Sequence, residues 1–384
     1  MIFNLFVLYL LIVVLFSFKG YSLNRLYKFN CILIVCLVGL RGYDIGSVDT
    51  INYVRFFLGK QMDYHNSGKE IEVGISIFND FLKPFIKTGW LYLLVVAIIS
   101  LTPLFYIIRK MSPNKHLSIL LLFIVIGNII SLYFVCMRQV LGMSFLMWGI
   151  VIWLKQIRFY KIYYIVLLFI GWLFHSVIIL PGILFVVFSY CNISRKLYAG
   201  IAIISLGLGV LGVFDDFSMF IFLFSYSGGL LDLLSNYTMI EFTGNAGYLY
   251  PTLRTVLCCM LCLFLNDEDF SHTFTKMFLI GVTVSNAFPN FQEMYRLSGL
   301  FCVFGVITIG QLSSSIFDKK YYSFISYKYN VRKLLPSIRL VFMTILLYSY
   351  FNYSSANIRL QNKIESSSAT LIPYSFCWED RYNY

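Results

Sequence analysis

Apolar runs recur along this chain from its first residues to about residue 351, and no polar stretch long enough for a soluble domain separates them. A helix needs about 20 apolar residues to cross the hydrocarbon core of a bilayer. About twelve candidate spans can be marked, at 2–18, 29–40, 89–108, 117–136, 140–154, 162–174, 176–190, 197–213, 249–265, 277–288, 297–316 and 336–351. Several are shorter than a perpendicular crossing requires, so they extend into polar flanks, re-enter or merge. Lipid offers the backbone no hydrogen bonds, and apolar runs of this length satisfy their own as helices. The chain is 59% hydrophobic and only 12% charged, with a mean hydropathy of +0.78, which excludes a soluble fold. The expectation is an all-α polytopic integral membrane protein, residues 1–384 forming a single transmembrane domain. The first run lacks a preceding positive charge and a small-residue cleavage site, so it reads as an anchor. Cys258, Cys259 and Cys262 have no second Cys pair or nearby histidine, and they read as buried thiols rather than metal ligands.

The net charge of +12 would suit a nucleic-acid binder if it lay on one surface of a soluble domain. Sorted by alternate links, it does not. Links 19–28, 109–116, 155–161, 191–196, 266–276 and 317–335 carry 17 basic residues against four acidic ones. The other side carries 12 basic against 14 acidic. The basic side is cytoplasmic by the positive-inside rule, both termini are extracytoplasmic, and nucleic acid is excluded as a partner. The acidic run Asp267, Glu268, Asp269 is the exception on the basic side. Two extracytoplasmic loops are long, 41–88 and 214–248. In the first, EVGISIFNDFLKPFI is amphipathic and predicts an interfacial helix after Gly74. The second is semi-apolar with internal glycines and predicts a segment that re-enters the membrane or lies along it.

The outer face collects the chemistry. Nucleotide loops, HExxH and GxSxG are absent from the sequence, so nucleotide hydrolysis and zinc chemistry lack support, and neither cofactor nor metal is expected. Four islands remain: Arg41 with Asp44, Asp49, Tyr53 and Arg55; Arg138 with Gln139; His175 between Phe174 and Ser176; and Glu293 with Arg296. Arg254 falls on the same face. Arg138 and His175 sit at the far ends of two apolar runs joined by the basic link 155–161, so antiparallel spans would bring them to one side. Arginine grips phosphate bidentately and keeps its proton. A histidine or carboxylate beside it could activate a hydroxyl. Each residue also has an ordinary reading: Arg41 and Arg296 as snorkelling span ends, His175 as a satisfied interfacial histidine, Asp44 and Asp49 as solvated loop acids. Four such features on one face weigh against all of these holding together.

The islands carry a resemblance. Gly39-Leu40-Arg41 with Asp44, Gly46, Asp49 and Tyr53, then Glu72 and Gly74, Arg138-Gln139, Phe174-His175-Ser176 before Pro181, Arg296-Leu297-Ser298 and Ile372-Pro373-Tyr374 resemble the Wzy-type polysaccharide polymerases of the EpsG-like group. The first island departs from the RYxxGxDxxxY form, because Gly42 separates Arg41 from Tyr43. The resemblance implies a GT-C-like architecture and a glycosyltransferase at the outer face of the bacterial cytoplasmic (inner) membrane. It implies undecaprenyl-pyrophosphate-linked oligosaccharide as substrate, an O-antigen, capsule or exopolysaccharide as product, and a chain-length regulator as a possible partner. Arg138 and Arg296 would hold pyrophosphate, with Arg41 next. His175 would be base or orienting group, and Asp44, Asp49, Tyr53, Gln139, Glu293 and Arg254 would contact substrate. A lipid-linked oligosaccharide flippase, a membrane acyltransferase and a structural scaffold are the alternatives to this reading.

Overall fold

A computed structural model describes residues 2–18, 23–42, 48–59, 72–124, 129–214, 249–288, 292–317 and 335–361. The expected loop 214–248 lies, but for Phe214, outside them, as do Asp44 and Ile372-Pro373-Tyr374. Among the described residues the fold is all-helical, without a strand. The helices are α1 Ile2–Phe18, α2 Asn24–Gly39, α3 Val48–Phe57, α4 Val73–Leu82, α5 Gly89–Met111, α6 Lys115–Leu121, α7 Ile129–Val135, α8 Met137–Lys155, α9 Tyr160–Phe174, α10 Ile179–Tyr190, α11 Arg195–Val210, α12 Leu249–Phe264, α13 Asp267–Ser271, α14 Thr273–Ala287, α15 Gln292–Cys302, α16 Gly305–Phe317 and α17 Leu335–Gln361.

Two of these, α5 and α8, are long and apolar enough to cross a membrane on their own. The shorter ones betray the same solvent by their outward faces. On α9, Ile162, Ile165, Val166 and Phe169 are exposed, and Ile203, Ile204 and Val210 are exposed on α11. Soluble monomers rarely leave continuous apolar surface of this extent in water, so these faces belong in lipid, and the chain is a membrane protein. A helix expected after Gly74 is present as α4, which starts one residue earlier, at Val73, and buries Gly74, Ile75, Asn79 and Leu82. Its other side exposes Val73, Ile77 and Phe81, four residues apart and therefore one stripe.

Two expected spans are interrupted. The run 117–136 is α6 and α7, with the Ile130 N–H donating to the Leu122 carbonyl across the break at 2.9 Å. Gly127 and Asn128 in that run are both poor helix formers. The run 297–316 breaks at a turn over Val303-Phe304 between α15 and α16. A side chain on Gly305 would meet the Phe278 ring at 2.4 Å, so that backbone approach requires glycine. The span expected at 29–40 starts earlier, because α2 extends through Asn24–Lys28.

The described residues fall into two compact units: Met1–Phe123 with Asn128–Ile183 and Tyr348–Tyr384, and Ile124–Gly127 with Leu184–Leu347. In the first unit the basic links gather at one end. Lys115 Nζ donates to Asn24 Oδ1 at 3.3 Å, His116 meets the Leu23 carbonyl at 3.2 Å, and the Lys155 ammonium lies 5.3 Å from the Tyr106 ring. Burial lowers the proton affinity of His116 below the ordinary histidine value. The α8–α9 turn carries left-handed backbone at Gln156 and Phe159.

In the second unit the acidic run has a structural role. Arg195 donates to the carbonyls of Cys262 at 2.6 Å and Leu265 at 2.9 Å, closing the C-terminus of α12. It also pairs with Asp267 at 2.5 Å. Asp269 accepts from Gln311 at 3.0 Å and from Asn266 at 2.9 Å, and burial raises its pKa. Asp267 and Asp269 are thus both held by neighbouring side chains of the unit. Neighbouring His272 is pushed by burial to about 4.

Candidate functional site

The site is built on the pairing of α8 with α9, the tightest in the first unit. Gly142 and Gly171 let the two backbones meet: a Cβ on Gly142 would lie 2.8 Å from the Gly171 carbonyl oxygen. Arg138 precedes Gly142 by four residues and His175 follows Gly171 by four. Since the helices are antiparallel, both residues stand about one turn, roughly 6 Å, past the crossing at the same end. That end is opposite the basic links, because Lys155 and Lys161 occupy the other termini of the same two helices.

Helix α4 brings a third element to this end. A Cβ on Gly74 would lie 2.7 Å from the backbone of Leu173, so α4 starts directly against the last turn of α9. Glu72, the N-cap residue of α4, there forms an ion pair with Arg138. Both side chains are 26% exposed. Glu72 does not cap its own helix through its side chain. Helix α3 supplies a fourth element, with the Arg138 guanidinium 5.4 Å from the centre of the Tyr53 ring. A cation over an aromatic face contributes about 0.5–1 kcal/mol in such partly exposed settings. Arg138 sits in the first turn of α8, where the helix dipole already favours anions. Its positive charge adds to that field, and among the described residues Glu72 supplies a counter-charge.

Under this polar end lies an aromatic floor. Phe174 stacks on Phe145 with centroids 5.3 Å apart and meets Phe78 edge-on at 5.9 Å. Tyr92 stacks on Phe57 at 4.2 Å. Tyr53, Phe57, Tyr92 and Phe174 belong to one buried cluster with Ile75, Met137 and Leu141. Gln139 is buried beside Arg138. His175 is half-buried, in extended backbone, its N–H on the Gly171 carbonyl at 3.1 Å and its own carbonyl accepting from Ile178 at 3.1 Å.

Arg41 stands at this end as a strut. It is 1% exposed. It donates to the Val38 carbonyl and to the Phe134 carbonyl at 2.9 Å. Thr50 of α3 donates to the same Phe134 oxygen at 3.0 Å. The end of α2, α3 and α7 are thereby tied together four residues ahead of Arg138. Asp49 opens α3, next to Thr50, and its side chain lies outside the described residues.

The second unit holds the remaining candidates. Arg254 is 3% exposed and donates to Ser285; its Nε is buried without a partner among the described residues. Beside it, Asn286 donates to Thr255 at 2.8 Å and Ser205 at 3.2 Å. Helices α14 and α15 form a close hairpin at Gly281, where a Cβ would meet the Cys302 nitrogen at 2.8 Å. Ser285 lies one turn beyond that crossing on α14. Glu293 and Arg296 lie beyond it on α15, at the same end, their side chains outside the described residues.

A family model described as the EpsG family matches residues 24–376, nearly the whole chain. The chain belongs to the EpsG family. No curated protein and no solved structure gives a match. Membership points to polysaccharide polymerase-like chemistry on a lipid-linked sugar in a membrane. Every described element of the Arg138 site falls inside the EpsG match. One participant was not among the site residues expected from sequence: Glu72 carries a resemblance island with Gly74, yet only the fold pairs it with Arg138. Gly74 itself was the available signal, since a glycine at the first turn of an amphipathic helix marks a close backbone approach.

Proposed function

We propose that this EpsG family member is a polysaccharide polymerase of the outer face of the bacterial cytoplasmic membrane. Residues 1–384 form one membrane domain of about twelve spans with a GT-C-like arrangement. It moves a growing oligosaccharide from undecaprenyl pyrophosphate onto the non-reducing end of an incoming lipid-linked repeat, giving O-antigen, capsule or exopolysaccharide. The observation that carries the proposal is the cation Arg138 at a helix N-terminus, over Tyr53, at the same helix-pair end as His175. Arg138 neutralises the charge that develops on the leaving pyrophosphate, a contribution of about 10²–10³ in rate for one well-placed donor. His175 orients the acceptor or takes its proton. Tyr53 and Gln139 face the sugar with Asp44 and Asp49, while Arg41 holds the frame. Arg296, with Arg254 and Glu293, forms a further group of substrate ligands. A chain-length regulator is the expected protein partner.

The test is to supply the purified protein in nanodiscs with lipid-linked repeats alone. A ladder of polymer is the expected product. A protein that moves the repeat across the bilayer without lengthening it is a flippase, and one that needs an acyl donor is an acyltransferase; either result ends the proposal.

A further inference from the structure

We infer that Glu72 is a catalytic carboxylate of this site: pyrophosphate displaces it from Arg138, and it then takes the proton of the acceptor hydroxyl. The inference rests on the polymerase reading above and assigns the base that reading leaves to His175 or a neighbour. Three observations carry it. One oxygen of Glu72 is spent on Arg138. The other, Oε2, is buried and has no hydrogen-bond partner among the described residues. A buried acceptor left unmade costs about 1–3 kcal/mol, which a merely structural ion pair would avoid by turning its second oxygen to a donor. Donors are at hand, because Glu72 is an N-cap residue and its side chain could serve its own helix, yet it does not. The backbone that fixes this geometry is Gly74 against Leu173 and Phe174, one residue before His175. The unpartnered oxygen is therefore held near both Arg138 and the segment that carries His175.

The chemistry follows from charge. Without substrate, Glu72 neutralises Arg138. A pyrophosphate carries more negative charge than one carboxylate and offers several oxygens to the guanidinium fork, so it takes the arginine. Glu72 is then a carboxylate beside a second anion, and accepting a proton relieves that repulsion. The acceptor hydroxyl gives its proton to Glu72. Its oxygen forms the new bond to the anomeric carbon of the donor, the bond from that carbon to the pyrophosphate oxygen breaks, and the electron pair leaves on undecaprenyl pyrophosphate, whose charge Arg138 balances. Site occupancy and base activation are thus one event, and an idle enzyme keeps its base paired. His175 becomes an orienting group.

The full-length protein in nanodiscs is assayed twice, for binding of fluorescent undecaprenyl pyrophosphate and for single-turnover bond formation with lipid-linked repeats. E72Q is expected to bind the pyrophosphate at least as tightly as wild type, having lost the competing anion, and to form the bond about 10²-fold or more slowly. E72D keeps part of the rate. Polymerisation by E72Q within threefold of wild type overturns the assignment, as does weakened binding with an unchanged bond-forming rate. If E72Q does not fold, E72D decides: it keeps the charge that pairs with Arg138 while drawing the carboxylate back by one methylene, and is expected to bind the pyrophosphate as wild type does with a slowed bond-forming step, whereas an unchanged bond-forming rate overturns the assignment. A wild-type protein that forms no ladder overturns the polymerase reading itself, and only an active E72Q separates the two failures.

Discussion

At the scale of single residues, charge is handled differently in the two compact units. In the second unit, cations and acids are consumed by the fold: Arg195 closes α12 and binds Asp267, and Lys276 donates to the carbonyls of Phe188 at 2.9 Å and Cys191 at 2.5 Å. His272 accepts there from the Phe274 N–H at 3.3 Å through Nδ1, which requires the neutral ring. Burial, and then the Lys276 charge, lower its pKa from 6.5 to about 4. A histidine depressed in the folded state stabilises above its unfolded value and loses that contribution as pH falls through the window from 6.5 to about 4. The melting temperature of the wild type should therefore drop more between pH 7 and pH 5 than that of His272→Asn, which keeps an acceptor without titrating; equal slopes would refute this. The raised pKa of Asp269 acts in the opposite direction but is common to both proteins. In the first unit, Arg138 and Glu72 are left partly exposed, and Glu72 Oε2 has no hydrogen-bond partner among the described residues.

At the scale of elements, glycine sets the contacts that create the site. Gly142 against Gly171 and Gly74 against Leu173 are backbone-to-backbone approaches, with the Ile178 side chain also against Gly142. Gly142→Val is expected to destabilise by about 1–3 kcal/mol or more, read as a lower melting temperature, and to separate Arg138 from His175. Gly74→Val should leave most of the fold and reduce activity, because it lifts α4 and Glu72 from α9. Helix α4 also tests the lipid-facing stripe. Brominated lipid should quench a tryptophan placed at Ile77 or Phe81, 59% and 66% exposed, and should leave one at the buried Asn79 position unquenched. Much of this was legible in the sequence: apolar runs are local, and most expected spans became helices with ends moved by a few residues. What was not legible was long-range. Glu72 and Arg138 are 66 residues apart, and Arg41 and Phe134 are 93 apart, so no spacing reveals either pair. The interrupted runs 117–136 and 297–316 escaped for the converse reason, since mean apolarity is blind to a local break.

At the scale of the whole molecule, the claim is that one side of the membrane holds the basic links and the other the chemistry. The first unit separates these within single helices, Arg138 from Lys155 on α8 and His175 from Lys161 across α9. In a background without the native cysteines, Arg158→Cys should react with an impermeant thiol reagent only after the cytoplasmic face is opened, and Thr88→Cys should react from outside; the reverse pattern would invert the topology. The central claim is that Arg138 serves catalysis at the leaving pyrophosphate. The most direct measurement is the rate of polymer formation by purified wild-type and Arg138→Ala proteins from lipid-linked repeats, with folding checked by melting temperature. The account predicts a folded Arg138→Ala protein slowed about 10²–10³-fold, with Arg138→Lys between the two. A folded Arg138→Ala protein that yields the full ladder at the wild-type rate would contradict it.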